Sequence, residues 1–257
     1  MLNLNFKEFG QGEPVVILHG LFGTLDNWQT VAKMLSEHFL VYILDLRNHG
    51  RSPHTEGVVD YASMAEDVGL FMQQNWLHEA RVVGHSMGGK VAMALALTQP
   101  DWVKKLAIVD IAPKTYRGGH EQIFDALFSI DLAKLTDRKE AERLLTEKLG
   151  DDSGTIQFLL KNLSRKPESE GGGFEWKMNL DVLHRDYSNI LSDVVEGIFD
   201  KETLFIRGSQ SNYIQDIDFK TIMKRFPKAE LTTIAGAGHW VHAEKPRELC
   251  AALLDFL

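Results

Sequence analysis

The chain has 257 residues, 44% of them hydrophobic and 25% charged, and its 36 acidic against 28 basic side chains leave a formal charge of −8. That length suits one large α/β domain, or a core carrying an insertion, better than two independent domains. The apolar share is ordinary for a soluble globular chain and gives no sign of disorder, and the negative balance with scattered Lys and Arg argues against a nucleic-acid or anionic-membrane surface, leaving a dissolved small molecule as the expected partner.

The first residues, 2–9, alternate polar and apolar side chains, as an edge strand paired antiparallel to its neighbour does. Near-continuous apolar runs follow at 15–18, 41–46, 81–83 and 106–110, then at 204–206 and 231–234, the pattern of parallel strands buried on both faces. Helical segments at 30–37, 61–75 and 87–98, and later at 218–226 and 247–257, fall between and after them. Strand alternating with helix predicts a doubly wound, mostly parallel sheet with helices on both faces.

Alternation stops after Asp110 and resumes only near Thr203. Residues 113–200 are therefore expected to form a mostly helical cap inserted between two strands, with residues 1–112 and 201–257 as the core. Helical periodicity appears in Ile123, Phe124, Leu127 and Phe128, in Leu144, Leu145 and Leu149, and in Leu159, Leu160 and Leu163. Gly171, Gly172 and Gly173 lack the Lys-Ser/Thr pair of a phosphate loop and read as a turn or short hairpin. Cys250, the single cysteine, lies in an apolar run and reads as core. The N-terminus shows neither a basic leader nor a long apolar segment, and no run approaches the ~18 apolar residues of a membrane span, so a cytoplasmic location is expected.

The chemistry concentrates in Gly84-His85-Ser86-Met87-Gly88, which follows a strand-like run and opens an apolar, Ala-rich helix. A serine hydroxyl is a poor nucleophile unless lifted out of the sheet and placed near a base, and a tight strand-to-helix turn does this. Ser86 is the predicted nucleophile. The amide of Met87, first in the helix, is a predicted oxyanion donor, and the loop after His19-Gly20 offers a second from Leu21 or Phe22. His239, in Gly238-His239-Trp240 just after the last strand-like run, is the predicted general base and acid. An unperturbed imidazole titrates near pH ~6.5, so activity should rise with pH through about 6 to 7. His242 reads as a helix-approach residue, while His19 and His85 read as packing within their motifs and not as metal ligands.

With Asp45-Leu46-Arg47-Asn48-His49-Gly50-Arg51-Ser52-Pro53 added, these motifs resemble the α/β-hydrolase superfamily, and within it the YbfF-like esterases and their abhydrolase-domain relatives. The resemblance spans most of the chain and is weakest in the cap. It implies a serine carboxylester hydrolase acting on short to medium acyl esters, or on acyl thioesters, with no metal or organic cofactor. The commonest superfamily pattern has its acid on the loop after residues 204–206, yet Gly208-Ser209-Gln210-Ser211-Asn212-Tyr213 contains no carboxylate. Asp110, at the end of an earlier strand, takes that place in the YbfF-like pattern and is the expected acid, with Asp216 as the rival. Trp176, Leu180, Leu183, Tyr213 and Trp240, with Phe22, are expected to line the substrate pocket. A triad-retaining small-ligand receptor and a C–C bond hydrolase remain alternatives, and the oligomeric state is left open.

Overall fold

The computed structural model describes residues 2–257. In chain order its elements are β1 (Phe6–Phe9), β2 (Pro14–Leu18), α1 (Gln29–Leu35), β3 (Leu40–Leu44), α2 (Tyr61–Gln74), β4 (Ala80–His85), α3 (Met87–Thr98) and β5 (Val103–Val109). After β5 come α4 (Glu121–Phe128), α5 (Arg138–Leu149), α6 (Ser153–Leu160), β6 (Leu163–Arg165), β7 (Phe174–Trp176), α7 (Leu180–Arg185) and α8 (Tyr187–Leu191). The chain then returns through β8 (Thr203–Gly208), α9 (Phe219–Arg225), β9 (Ala229–Ile234), α10 (Val241–Glu244) and α11 (Pro246–Phe256).

The main sheet has seven strands in the order β1-β3-β2-β4-β5-β8-β9. Only the β1–β3 pairing is antiparallel, with Phe6 opposite Leu44; β2 pairs in parallel with both β3 and β4, and the remaining pairings are parallel as well. The sheet divides two apolar cores because side chains alternate along each strand. Val16 and Leu18 of β2 join Leu44, Val82 and Ile108 beneath α2 and α3, while Val15 and Ile17 join Ile43, Val83 and Val109 against α1 and α11. Cys250 lies buried in this second core.

The stretch between β5 and β8 leaves the sheet and packs its own apolar interior onto the first core, with Phe124, Leu127, Leu145, Leu159 and Leu183 buried there. Its secondary structure departs from the periodicity at one point. Leu159 and Leu160 end α6, but Leu163 opens β6, which pairs antiparallel with β7 so that Leu163 faces Trp176. The three glycines, all at positive φ, lie between these strands and complete the hairpin. Leucine spacing reports a buried face, and here strand pairing buries Leu163 instead of a further helical turn. Among the described residues no helix is long and apolar enough to cross a membrane.

Candidate active site

Parallel strands deliver their carboxyl ends to one rim of the sheet, and that rim is where the polar residues converge. At the end of β4, Ser86 has φ 53 and ψ −121, an uncommon conformation for a non-glycine residue. It is held there by its N–H, which donates to Val109 O at 3.0 Å, and by its carbonyl, which accepts from Lys90 N at 3.1 Å. The turn is too tight for side chains beside it. A Cβ on Gly84 would lie 2.3 Å from Gly88 O, and one on Gly88 would lie 2.4 Å from His19 O.

Ser86 Oγ is 3.0 Å from His239 Nε2, and His239 Nδ1 is 2.7 Å from Asp110 Oδ2. Asp110 follows β5 with φ 54 and is 0% exposed. Its carboxylate is well supplied with donors: Gly208 N–H donates to Oδ1 at 3.1 Å, and the Ser211 hydroxyl donates to Oδ2. Burial of this anion is tolerable because its oxygens are met by N–H and O–H groups. The carboxylate-free loop after β8 thus contributes hydrogen-bond donors to an acid carried by the neighbouring strand. Asp216, the rival, has its side chain 88% exposed and pairs instead with Arg207 at 2.7 Å.

The imidazole of His239 is fixed on several sides. The Tyr213 ring stacks on it with centroids 3.8 Å apart and planes at 16°. Its carbonyl accepts a hydrogen bond from His85 Nε2 at 2.8 Å. Glu244 clamps the loop by accepting from the amides on either side of His239, Gly238 N at 2.7 Å and Trp240 N at 3.2 Å. Tyr213 is itself tied down: Tyr116 Oη donates to its carbonyl at 2.7 Å. Ser211, Tyr116 and Glu244 carry no motif signal in the sequence, because each acts through a partner distant in the chain or through a backbone amide.

The other histidines form a buried frame around this site. His19 accepts from Leu46 N at Nε2, 3.0 Å away, so Nδ1 carries the proton and donates to Gly20 O at 2.8 Å. Burial pushes the His19 imidazole down to about 4 and those of His49 and His242 to about 3, and it holds His85 well below the ordinary imidazole range. His242 stacks on Trp28 with centroids 4.8 Å apart. Neutral imidazoles of this kind serve packing and hydrogen bonding.

Leu21 and Phe22 occupy the turn after β2, with Phe22 at φ 59 and its carbonyl accepting from Asn162 Nδ2 at 2.7 Å. Among the described residues neither loop amide donates to a protein acceptor, and the Met87 amide, first in α3, has no intrahelical acceptor. All three residues border open space at Ser86. A cavity of about 360 Å3 runs past Ser86, His239, Leu21, Phe22 and Trp240, and a second of about 170 Å3 runs past Ser86, Met87, Leu21 and Tyr116. Tyr213 lines both.

Three expected pocket residues lie elsewhere. Leu183 is fully buried, and Trp176 and Leu180 border a separate surface groove beside the glycine hairpin. For Leu180 and Leu183 the physical reason is that the apolar face of α7 is consumed by packing onto α4, and for Trp176 it is that β7 pairs with β6, opposite Leu163.

Comparison with known proteins agrees with this architecture. The α/β-hydrolase-fold family matches residues 13–246. A solved structure of an esterase from a marine microorganism superposes with a TM-score of 0.96 at 42% identity, covering 100% of both chains. A putative esterase/lipase of Haemophilus influenzae is 38% identical over 100% of this chain and 88% of its own length. The esterase YbfF of Escherichia coli is 37% identical over 95% of this chain and 92% of its own. The chain belongs to the α/β-hydrolase family.

Proposed function

We propose that the protein is a serine carboxylester hydrolase of short to medium acyl esters, working through an acyl-enzyme at Ser86. The observation that carries this reading is the hydrogen-bonded series Ser86–His239–Asp110, with contacts of 3.0 and 2.7 Å, laid on a strand-to-helix turn that presents the serine hydroxyl to a cavity. The similarity to esterases supports hydrolase activity of the esterase type.

In this reading His239 Nε2 takes the Ser86 proton as Oγ attacks the ester carbonyl carbon. The carbonyl oxygen becomes an anion that accepts N–H groups from Met87 and from Leu21 or Phe22. Asp110 accepts from Nδ1, which keeps Nε2 free as the base and stabilises the imidazolium that forms. Collapse of the tetrahedral intermediate breaks the bond to the leaving oxygen, which receives the proton from Nε2. Water then repeats the sequence on the acyl-enzyme and regenerates Ser86. A thioester differs only in its leaving atom and follows the same steps. The segment 113–200 acts as a cap that roofs the site.

The test is the initial hydrolysis rate of p-nitrophenyl esters from acetate to decanoate, measured for wild type and Ser86→Ala together. Wild-type activity that peaks at one chain length and collapses in the variant is expected. Absence of activity at every length, or activity surviving Ser86→Ala, overturns the reading.

A further inference from the structure

The two cavities that meet at Ser86 carry opposite charge in their walls. The larger, on the His239 and Trp240 side, is bordered by the carboxylates Asp152 and Glu244 and by no lysine or arginine. The smaller, on the Met87 side, is bordered by Lys90 and Arg117 and by no aspartate or glutamate. In a chain with a formal charge of −8, a wall holding cations alone runs against the average composition.

Lys90 stands one helical turn along α3 from Ser86 and is 1% exposed. Its ammonium donates to Lys114 O at 2.8 Å and to Ser192 O, and it lies over the rings of Tyr116 at 4.8 Å and Tyr61 at 5.3 Å. An ammonium has three hydrogens, so these two acceptors leave one to give. Asp193, whose charge also bears on Lys90, is held by Arg225 through two contacts of 3.0 Å. Burial draws Lys90 down to about 7, so near neutrality it is only partly protonated, and a carboxylate placed beside it would restore the full ammonium charge. Arg117 sits exposed at the mouth and makes no hydrogen bond or ion pair among the described residues.

Proton bookkeeping says which end of the ester enters this cavity. The leaving oxygen must reach His239 Nε2 to be protonated, so the leaving group occupies the larger cavity, which His239 lines. The acyl chain then extends past Met87 into the smaller one, which His239 does not line. Resting on the serine-hydrolase reading above, we infer that the smaller cavity binds an acyl chain ending in a carboxylate, so that the preferred substrates are monoesters of short dicarboxylic acids with an uncharged or cationic alcohol. The cavity is about 170 Å3, roughly half the volume of the larger one, which suits a short acyl chain. The carboxylates of the larger cavity disfavour a polyanionic leaving group.

The test compares kcat/KM for mono-4-nitrophenyl glutarate and 4-nitrophenyl pentanoate, which share a leaving group and a carbon count. Ser86→Ala supplies the background, including attack by the ester's own carboxylate. Wild type should favour the glutarate ester by roughly ten- to a hundredfold, the scale of one charge-assisted hydrogen bond. Arg117→Gln and Lys90→Met should each reduce that ratio severalfold, and the exposed Arg117 keeps the test open should Lys90→Met fail to fold. A wild-type ratio at or below one, with Ser86-dependent hydrolysis of the pentanoate ester, overturns the cavity assignment and leaves the serine reading standing. A favourable ratio that neither variant lowers also overturns it, because the anion is then bound elsewhere. Ser86-independent hydrolysis of both esters removes the serine reading and this inference together.

Discussion

Strands β5 and β8 lie side by side and parallel, yet their carboxyl ends are built oppositely. The first ends in Asp110, a fully buried carboxylate at φ 54. The second ends in a loop with no carboxylate, whose Gly208 amide and Ser211 hydroxyl both donate to Asp110. An acid and the donors that make its burial tolerable have been divided between neighbouring strands. At the sheet's carboxyl rim one strand end thus supplies the carboxylate that meets the imidazole of His239, and its neighbour supplies that carboxylate's donors.

Breaking the comparison at β5 should have the largest effect. In the proposed mechanism Asp110 orients and stabilises the His239 imidazolium, so Asp110→Asn, which keeps the shape but removes the charge, should lower turnover by roughly 10³ to 10⁴. Steady-state kinetics on a p-nitrophenyl ester decide this, and a loss of only a few fold would return the acid to another residue.

The kinetics must be read where the fold is intact, and the buried histidines set that range. An unfolded imidazole titrates near ~6.5, whereas the folded values are about 4 for His19 and about 3 for His49 and His242. Between those limits the unfolded chain binds more protons, so stability is complete above about pH 6.5 and is lost as pH falls through that window. Each such histidine costs at most ~1.4 kcal/mol per pH unit. Urea midpoints should drop steadily from pH 7 to pH 5, and constant midpoints would show that these imidazoles are not buried neutral.

At β8 the expected effect is smaller. Ser211→Ala takes one donor from the Asp110 carboxylate while Gly208 N–H remains, and kcat should fall roughly tenfold; an unchanged kcat would make Ser211 a bystander. Asp216→Asn should be smallest, within about twofold, because an exposed pair such as Asp216–Arg207 contributes little. A loss matching that of Asp110→Asn would dissolve the distinction between the strand ends.

The legibility of the site follows the range of the forces that build it. The serine turn is local: two glycines, a strand before and a helix after are adjacent in sequence, and Ser86 takes its strained conformation there. His239 was legible from chain order, and Asp110 from a carboxylate at a strand end combined with its absence after β8. Ser211 was not legible, because its role exists only once β5 and β8 are neighbours. Tyr116 and Glu244 are silent for the same reason, acting on Tyr213 and on the amides beside His239. The sheet and both flanking helical layers were readable from alternation, whereas the inserted segment misled twice. Leu163 continues a helical spacing but enters a strand, and Leu180 and Leu183 report a buried face without reporting that it packs on α4. Apolar periodicity says that a face is covered and does not say by what.

Covalent trapping tests the proposal that Ser86 is the nucleophile activated by His239. Wild type, Ser86→Ala and Asp110→Asn would each be treated with a fluorophosphonate, which phosphonylates an activated serine, and the intact mass followed in time with the adduct located by peptide mapping. One adduct on the peptide containing Ser86, absent in Ser86→Ala and formed far more slowly in Asp110→Asn, is the predicted result. No adduct on wild type, or an adduct that persists in Ser86→Ala, would show that Ser86 is not the nucleophile.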